Sequence, residues 1–263
     1  MVVVAGAAIA TIVVGDAGSS IGDDLRWLIS GAGRRSLFNT AVWLIAVPAG
    51  SVVIALGLAW AAQRARRIDT ITSLVMVPAV LAPTVVAVVW QGLVAFRAAG
   101  SDQVGLLNAL LGVVGVGPVA WLVQPYVNVV VLAGALVWTS VGIALLLLRA
   151  AVTRVPQELV DAARIDGASE TQVFTRVTVP TIKGAMILAA AVTAVMVVRT
   201  IDLILVATGG EHGTSLLGST SLHVAIDLAR SARGALAALV MALVVAPFAA
   251  LLLARQRRSG VAR

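Results

Sequence analysis

The side chains able to carry out chemistry are few, and their spacing excludes most reactions. The two histidines, His212 and His223, belong to no H-E-x-x-H pattern, and the chain has no cysteine, so zinc-ligand spacing, thiolate chemistry and disulfides all lack a basis. Each histidine reads as an ordinary loop or interface residue. The only lysine, Lys183, precedes Gly184, so the Lys-Ser/Thr pair of a G-x-x-x-x-G-K-[ST] phosphate loop cannot occur. Two groups of charge remain. Glu158, Asp161 and Asp166 cluster in residues 149–183, and Arg199 and Asp202 stand at i and i+3 inside an apolar stretch. A charge within a membrane span costs about 2.5 to 3.5 kcal/mol on insertion scales and faces a bundle interior or a watery cavity. Either Arg199 and Asp202 neutralise each other on one helix face, or Arg199, Thr200 and Asp202 line a translocation cavity.

The elements that must position these residues are membrane helices. The chain is 60% hydrophobic and 12% charged, against about 45 to 50% and about 25% in soluble domains. The net charge of +7 would suit nucleic acid, but the arginines lie in short clusters between long uncharged runs and aromatics are only 4%, leaving few platforms for stacking bases. No nucleic-acid partner is expected. A bilayer core needs roughly 20 helical residues. The charge-free runs 36–63, 70–96, 128–148 and 234–254 meet this, and 184–198 does so by continuing past Arg199 and Asp202 to about residue 207. A sixth stretch, 2–15, covers only about 21 Å as helix. It has no positive n-region and reads as the remnant of a first span rather than a degenerate signal sequence. The fold class is therefore all-α, a polytopic membrane protein of about six transmembrane helices. Residues 1–35 form the first span and an external segment, 36–254 the membrane domain, and 255–263 a basic cytoplasmic tail. Alternation of spans puts Arg64, Arg66, Arg67, the basic residues of 149–183 and the tail on one side, the richer in positive charge, which is the cytoplasmic one with both termini inside.

Residues 149–183 are polar and patterned as two short helices. Pro156 suits a first helical position, Glu158 and Asp161 lie near the positive end of the dipole, and Gly167 suits a left-handed terminator. Ser169 and Gln172 form a capping-box pattern for the second helix, which Pro180 ends. Leu159, Ala162 and Ala163 make a patch kept small by its alanines, suited either to docking a partner or to lying on lipid headgroups.

Residues 158–180, ELVDAARIDGASETQVFTRVTVP, resemble the EAA loop of permease subunits of binding-protein-dependent ABC importers. Asp161, Ala162 and Ala163 stand at the EAA positions, followed by Gly167, Val179 and Pro180, with Asp161 one methylene shorter than the usual Glu. The resemblance continues through Asn39, Thr40, Pro78, Trp90, GLLNALL at 105–111, Trp121, Trp138, Gly142 and IDLILVATGGEHGT at 201–214, all similar to carbohydrate-type members such as the maltose and α-glucoside permeases. It implies that the first loop helix is a coupling helix seated in a cleft of an ATP-binding subunit, with Glu158, Leu159, Asp161, Ala162, Ala163, Asp166, Gly167 and Pro180 as coupling residues. It implies a second permease subunit, two copies of the ATP-binding subunit, an extracytoplasmic sugar-binding protein and a prokaryotic cytoplasmic membrane. ATP and Mg would be bound by the partner ATPase, with no cofactor in this chain. An ion-gradient-driven transporter or a non-transporting membrane scaffold is the alternative, and the EAA-type loop speaks against both.

Overall fold

The computed structural model describes residues 21–65, 68–98, 100–102, 104–226, 233, 235–243 and 246, and no strand occurs among them. The helices are α1 (Ile21–Ile29), α2 (Gly31–Ala65), α3 (Ile68–Val80), α4 (Pro83–Leu93), α5 (Leu106–Val113), α6 (Val127–Val152), α7 (Gln157–Ile165), α8 (Glu170–Val173), α9 (Val179–Arg199), α10 (Ile201–Thr208) and α11 (Leu217–Ile226). Residues 235–243 are also helical. Gly33–Ala61, Val127–Val152 and Glu170–Arg199 are each long and apolar enough to cross a membrane. The apolar runs 36–63 and 128–148 fall inside α2 and α6. The stretch 2–15, most of 234–254 and the tail 255–263 lie outside the described residues.

Two expected spans are interrupted. Within 70–96 the helix stops at Val80 and restarts at Pro83, giving a broken pair instead of one rod. Proline lacks an N–H and pushes its predecessor out of the helical region. Ala82 is accordingly extended (φ −63°, ψ 142°) and Pro83 sits at the start of α4. Within 184–207 the break falls at Thr200 (φ −87°, ψ 45°). Its hydroxyl donates to the Met196 carbonyl at 2.6 Å, the i−4 back-bond by which threonine bends helices.

The expected stop at Pro180 is also absent. α8 runs through a π-helical turn, Phe174–Thr178, directly into α9. The Val179 N–H reaches back to the Phe174 carbonyl, one residue further than in an α-helix. That wider turn shifts the register where Pro180 cannot donate, so the chain continues as one span.

The described residues form two compact units, one from those within 21–45, 82–136 and 196–246 and the other from those within 46–81 and 137–195. The core of the second is built from three helices: Val52, Ala55 and Ala59 of α2, Val141, Ala144, Leu145 and Leu148 of α6, and Ile182 and Ala189 of α9. Between helices surrounded by lipid the drive to associate is close packing, which small residues permit. Gly142 shows this on another face of α6. A Cβ there would stand 2.7 Å from the Val75 carbonyl oxygen and 3.0 Å from the Ala79 Cβ of α3. Gly142→Leu should therefore lower the thermal midpoint of the purified protein, with a cost of about 1 to 3 kcal/mol for overpacking. An unchanged midpoint in a thermal-shift assay would contradict so close an approach.

In the first unit α4 packs along α10. The Gln91 carboxamide donates to the Val206 and Ala207 carbonyls at 3.0 and 3.1 Å, satisfying groups left open at the α10 C-terminus. Leu28 of α1 packs with Leu217 of α11 and with Leu236 and Ala237. Asn108 is 1% exposed and ties the segment after α5 to α5 itself. Its amide donates to the Ala95 and Val119 carbonyls, and its oxygen accepts from the Val119 N–H and the Trp121 indole. A buried carboxamide is stable only when satisfied in this way.

Candidate functional site

The site grows from the end of α6, where the chain turns and starts α7 with Pro156 at the N-cap, one residue earlier in the helix frame than its sequence suggests. Glu158 lies in the first turn and Arg164 in the last, both favourable to the helix dipole. Gly167 then adopts φ +82°. The Gly167 N–H donates to the Arg164 carbonyl and the Ala168 N–H to the Ala163 carbonyl, both at 3.0 Å, which is the paired pattern of a Schellman termination. Two residues later Ser169 opens α8 with a complete capping box. Its hydroxyl accepts from the Gln172 N–H, while its own N–H donates to the Gln172 side chain at 2.8 Å. The elbow between the two helices is thus defined on both sides by local hydrogen bonds.

Arg164 locks that elbow. Its guanidinium donates twice to Glu170, at 2.9 and 3.2 Å, and once to Asp161 at 3.4 Å. Asp161 also accepts from the Gln157 amide at 2.9 Å. The hydrogen bonds to Glu170 are the main reason that the Arg164 pKa lies above its ordinary value. Neither Arg164 nor Glu170 was apparent as a site residue, since the i to i+6 pairing needs the Gly167 turn to bring them together. Behind the pair lies a cavity of about 420 Å³ walled by Val155, Val160, Val173 and the Trp60 and Phe174 rings, whose centroids stand 6.3 Å apart. Arg164→Met should leave overall stability nearly unchanged, because water screens an ion pair this exposed. It should raise amide exchange over residues 166–172, and unaltered exchange would show that the capping bonds suffice alone.

The exposed face of α7 differs in one respect from the expected one. Glu158, Leu159, Asp161, Ala162, Asp166 and Gly167 are exposed, as is Pro180 further on, whereas Ala163 is half-buried. The outward apolar stripe is Leu159, Ala162 and Ile165 at i, i+3 and i+6. Ile165 is 87% exposed and is the functional candidate that sequence reasoning missed. The signal was its spacing, since it continues the Leu159–Ala162 row.

Arg199 and Asp202 end up on separate helices, α9 and α10, because of the Thr200 break. Both are exposed, and no ion pair joins them among the described residues. Thr200 is 4% exposed and its hydroxyl is occupied by its own backbone.

A terminated helix, a locked elbow and an apolar outward stripe form a platform on an otherwise membrane-embedded chain. Residues 51–259 match the family described as binding-protein-dependent transport system inner membrane component. The chain belongs to that family. It is therefore a multi-pass inner-membrane permease component, and its family is one of transport proteins. The permease is 32% identical over 209 residues to the osmoprotective compounds uptake permease protein GgtC of Synechocystis sp., covering 80% of this chain and 75% of that protein. It is 34% identical over 224 residues to the alpha-glucoside transport system permease protein AglF of Rhizobium meliloti, covering 83% of this chain and 66% of that one. A solved bacterial alginate ABC transporter, in complex with an alginate pentasaccharide-bound periplasmic protein, contains a chain matching the permease fold with a TM-score of 0.70 at 19% identity. The match covers 87% of this chain and 80% of that one.

Proposed function

We propose that this permease forms the translocation pathway of an ABC importer for a sugar, with α-glucosides or other oligosaccharides leading and polyols and glycerol phosphate esters behind. The observation that carries the reading is the α7 platform, in which Asp161, Ala162, Ala163 and Gly167 occupy the EAA-loop positions on a terminated helix that presents Leu159, Ala162 and Ile165 outward. It rests further on the relatives named for alpha-glucoside and osmoprotective-compound transport. In this reading α7 faces the cytoplasm, the C-terminus is cytoplasmic, and the assembly contains a second permease subunit, two ATP-binding subunits that hold ATP and Mg, and an extracytoplasmic sugar-binding protein.

ATP-driven closure of the ATP-binding subunits would draw the coupling helices together. In this reading the continuous helix from Glu170 to Arg199 carries that displacement towards the Arg199–Asp202 break. Nucleotide shifts the inward-to-outward equilibrium only by its differential affinity for the two states. Arg199 and Asp202 are the residues of this chain assigned to the pathway, and Thr200 shapes the break between them. The test is ATP hydrolysis by the reconstituted complex against a panel of sugars with candidate binding proteins. Stimulation that requires both the binding protein and one sugar class supports the reading. Hydrolysis indifferent to every sugar and binding protein, or transport sustained by an ion gradient without the ATPase, would contradict it.

A further inference from the structure

A second cavity, of about 680 Å³, opens where the start of α2, the turn before α6 and the turn between α10 and α11 meet within the first unit. Its walls include Arg34, Arg35, Phe38, Tyr126 and His212. Arg34 and Arg35 are both exposed, and neither has an ion-pair partner among the described residues. Among the described residues no carboxylate lines the space. Glu211, the acidic residue of the neighbouring turn, is exposed and lies outside the lining.

The wall is built rather than incidental. His212 has φ +53°, a left-handed backbone on a non-glycine residue, flanked by Gly210 and Gly213 at φ +79°. Two buried asparagines hold that conformation. The Asn128 amide donates to the His212 carbonyl at 2.8 Å. The Asn39 amide donates to the Gly213 and Ser215 carbonyls at 2.7 and 3.1 Å. The Arg35 side chain lies along Gly213, where a Cβ would come within 3.1 Å of its Nη1. Non-glycine backbone held in this region by over-determined surroundings is a mark of a functional surface.

We infer that this cavity docks a carboxylate side chain of the extracytoplasmic binding protein, with Arg34 and Arg35 donating to the carboxylate and Phe38 and Tyr126 forming the apolar walls around it. The inference rests on the importer reading above. Unpaired guanidinium forks match carboxylates bidentately. Arginine and tyrosine are the residues enriched at the energetic centres of interfaces. Tyr126 is 82% exposed and Phe38 62% exposed, so an aromatic surface lies beside the cations. A lipid headgroup fits less well. Val123, Pro125, Tyr126, His212 and Gly213 lie in turns beyond the ends of α6 and α10, so half of the wall stands outside the apolar spans.

The experiment uses the complete importer in nanodiscs, with the binding protein that stimulates hydrolysis in the reconstitution above as the probe, at low and high salt. Variants are compared only where they assemble with the ATPase subunit at wild-type yield. Arg34→Gln with Arg35→Gln should weaken the binding-protein Kd about tenfold or more and flatten its salt dependence, while the paired lysine variant retains most of the affinity. Tyr126→Ala, at an exposed side chain whose loss cannot unfold the chain, should weaken it about fivefold. An unchanged Kd and salt slope in both variants overturns the inference. So does a loss seen only in nanodiscs of anionic lipid, which would identify a headgroup, or a loss of sugar stimulation at unchanged Kd, which would identify the solute. Absence of any binding-protein affinity in the wild-type complex would instead bring down the importer reading, and this proposal with it.

Discussion

Gly167→Pro should reduce binding-protein-stimulated ATP hydrolysis and uptake to background while membrane insertion persists. Two physical requirements fail together. Proline fixes φ near −65°, whereas position 167 needs φ +82°. Proline also removes the N–H that donates to the Arg164 carbonyl. The Schellman termination is then lost, α7 no longer turns back on itself, and Arg164 cannot meet Glu170. Gly167→Ala isolates the backbone contribution, because a Cβ there would meet nothing within 4 Å. Its cost is the left-handed conformation alone, about 1 to 2 kcal/mol, so partial coupling should survive. Purified complexes carrying each variant, assayed for retained ATPase subunit and for stimulated hydrolysis, provide the check. Wild-type coupling in Gly167→Pro would mean that the elbow has no part in transmission.

Ile165→Asp should detach the ATP-binding subunit from an intact permease. Ile165 is 87% exposed in this chain, so replacing it removes no internal packing and should leave the thermal midpoint unchanged. On a partner it would place a carboxylate in the middle of an apolar contact. Truncating or polarising a central interface residue typically costs about 2 kcal/mol or more, which is roughly a 30-fold loss of affinity. Leu159→Asp, on the same stripe, should act in the same direction. Ala163 is half-buried, so a bulky residue there would disturb the seating of α7 as well as the docking face. Co-purification of the ATPase subunit with Ile165→Asp at wild-type yield would rule out this stripe as the contact.

The parts of the site that could be read from sequence are those set by neighbours in the chain. The left-handed Gly167 and the Ser169–Gln172 box are decided within a few residues, and the structure has both. Long-range geometry was less legible. An uncharged run says that a segment can sit in lipid and nothing about whether it is straight, so the breaks before Pro83 and at Thr200 were missed although proline and threonine were visible there. Pro180 misled for the opposite reason. A π turn can absorb a missing donor, and no simple residue pattern announces one. The orientation of α7 depends on tertiary packing over Val160, Trp60 and Phe174, which is why Ile165 escaped attention and Ala163 was placed on the outer face. Asn39 and GLLNALL drew notice by resemblance, yet their role as loop anchors emerges only from the carbonyls they reach.

The most direct measurement of the central claim is uptake of a labelled glucoside by proteoliposomes containing this permease with the second permease and the ATP-binding subunit proposed above. ATP is supplied on the side of α7 and the binding protein on the other. Accumulation that requires ATP and the binding protein together, and that disappears with Ile165→Asp, is the expected result. Accumulation that follows an imposed ion gradient without ATP, or that persists unchanged in Ile165→Asp, would contradict it.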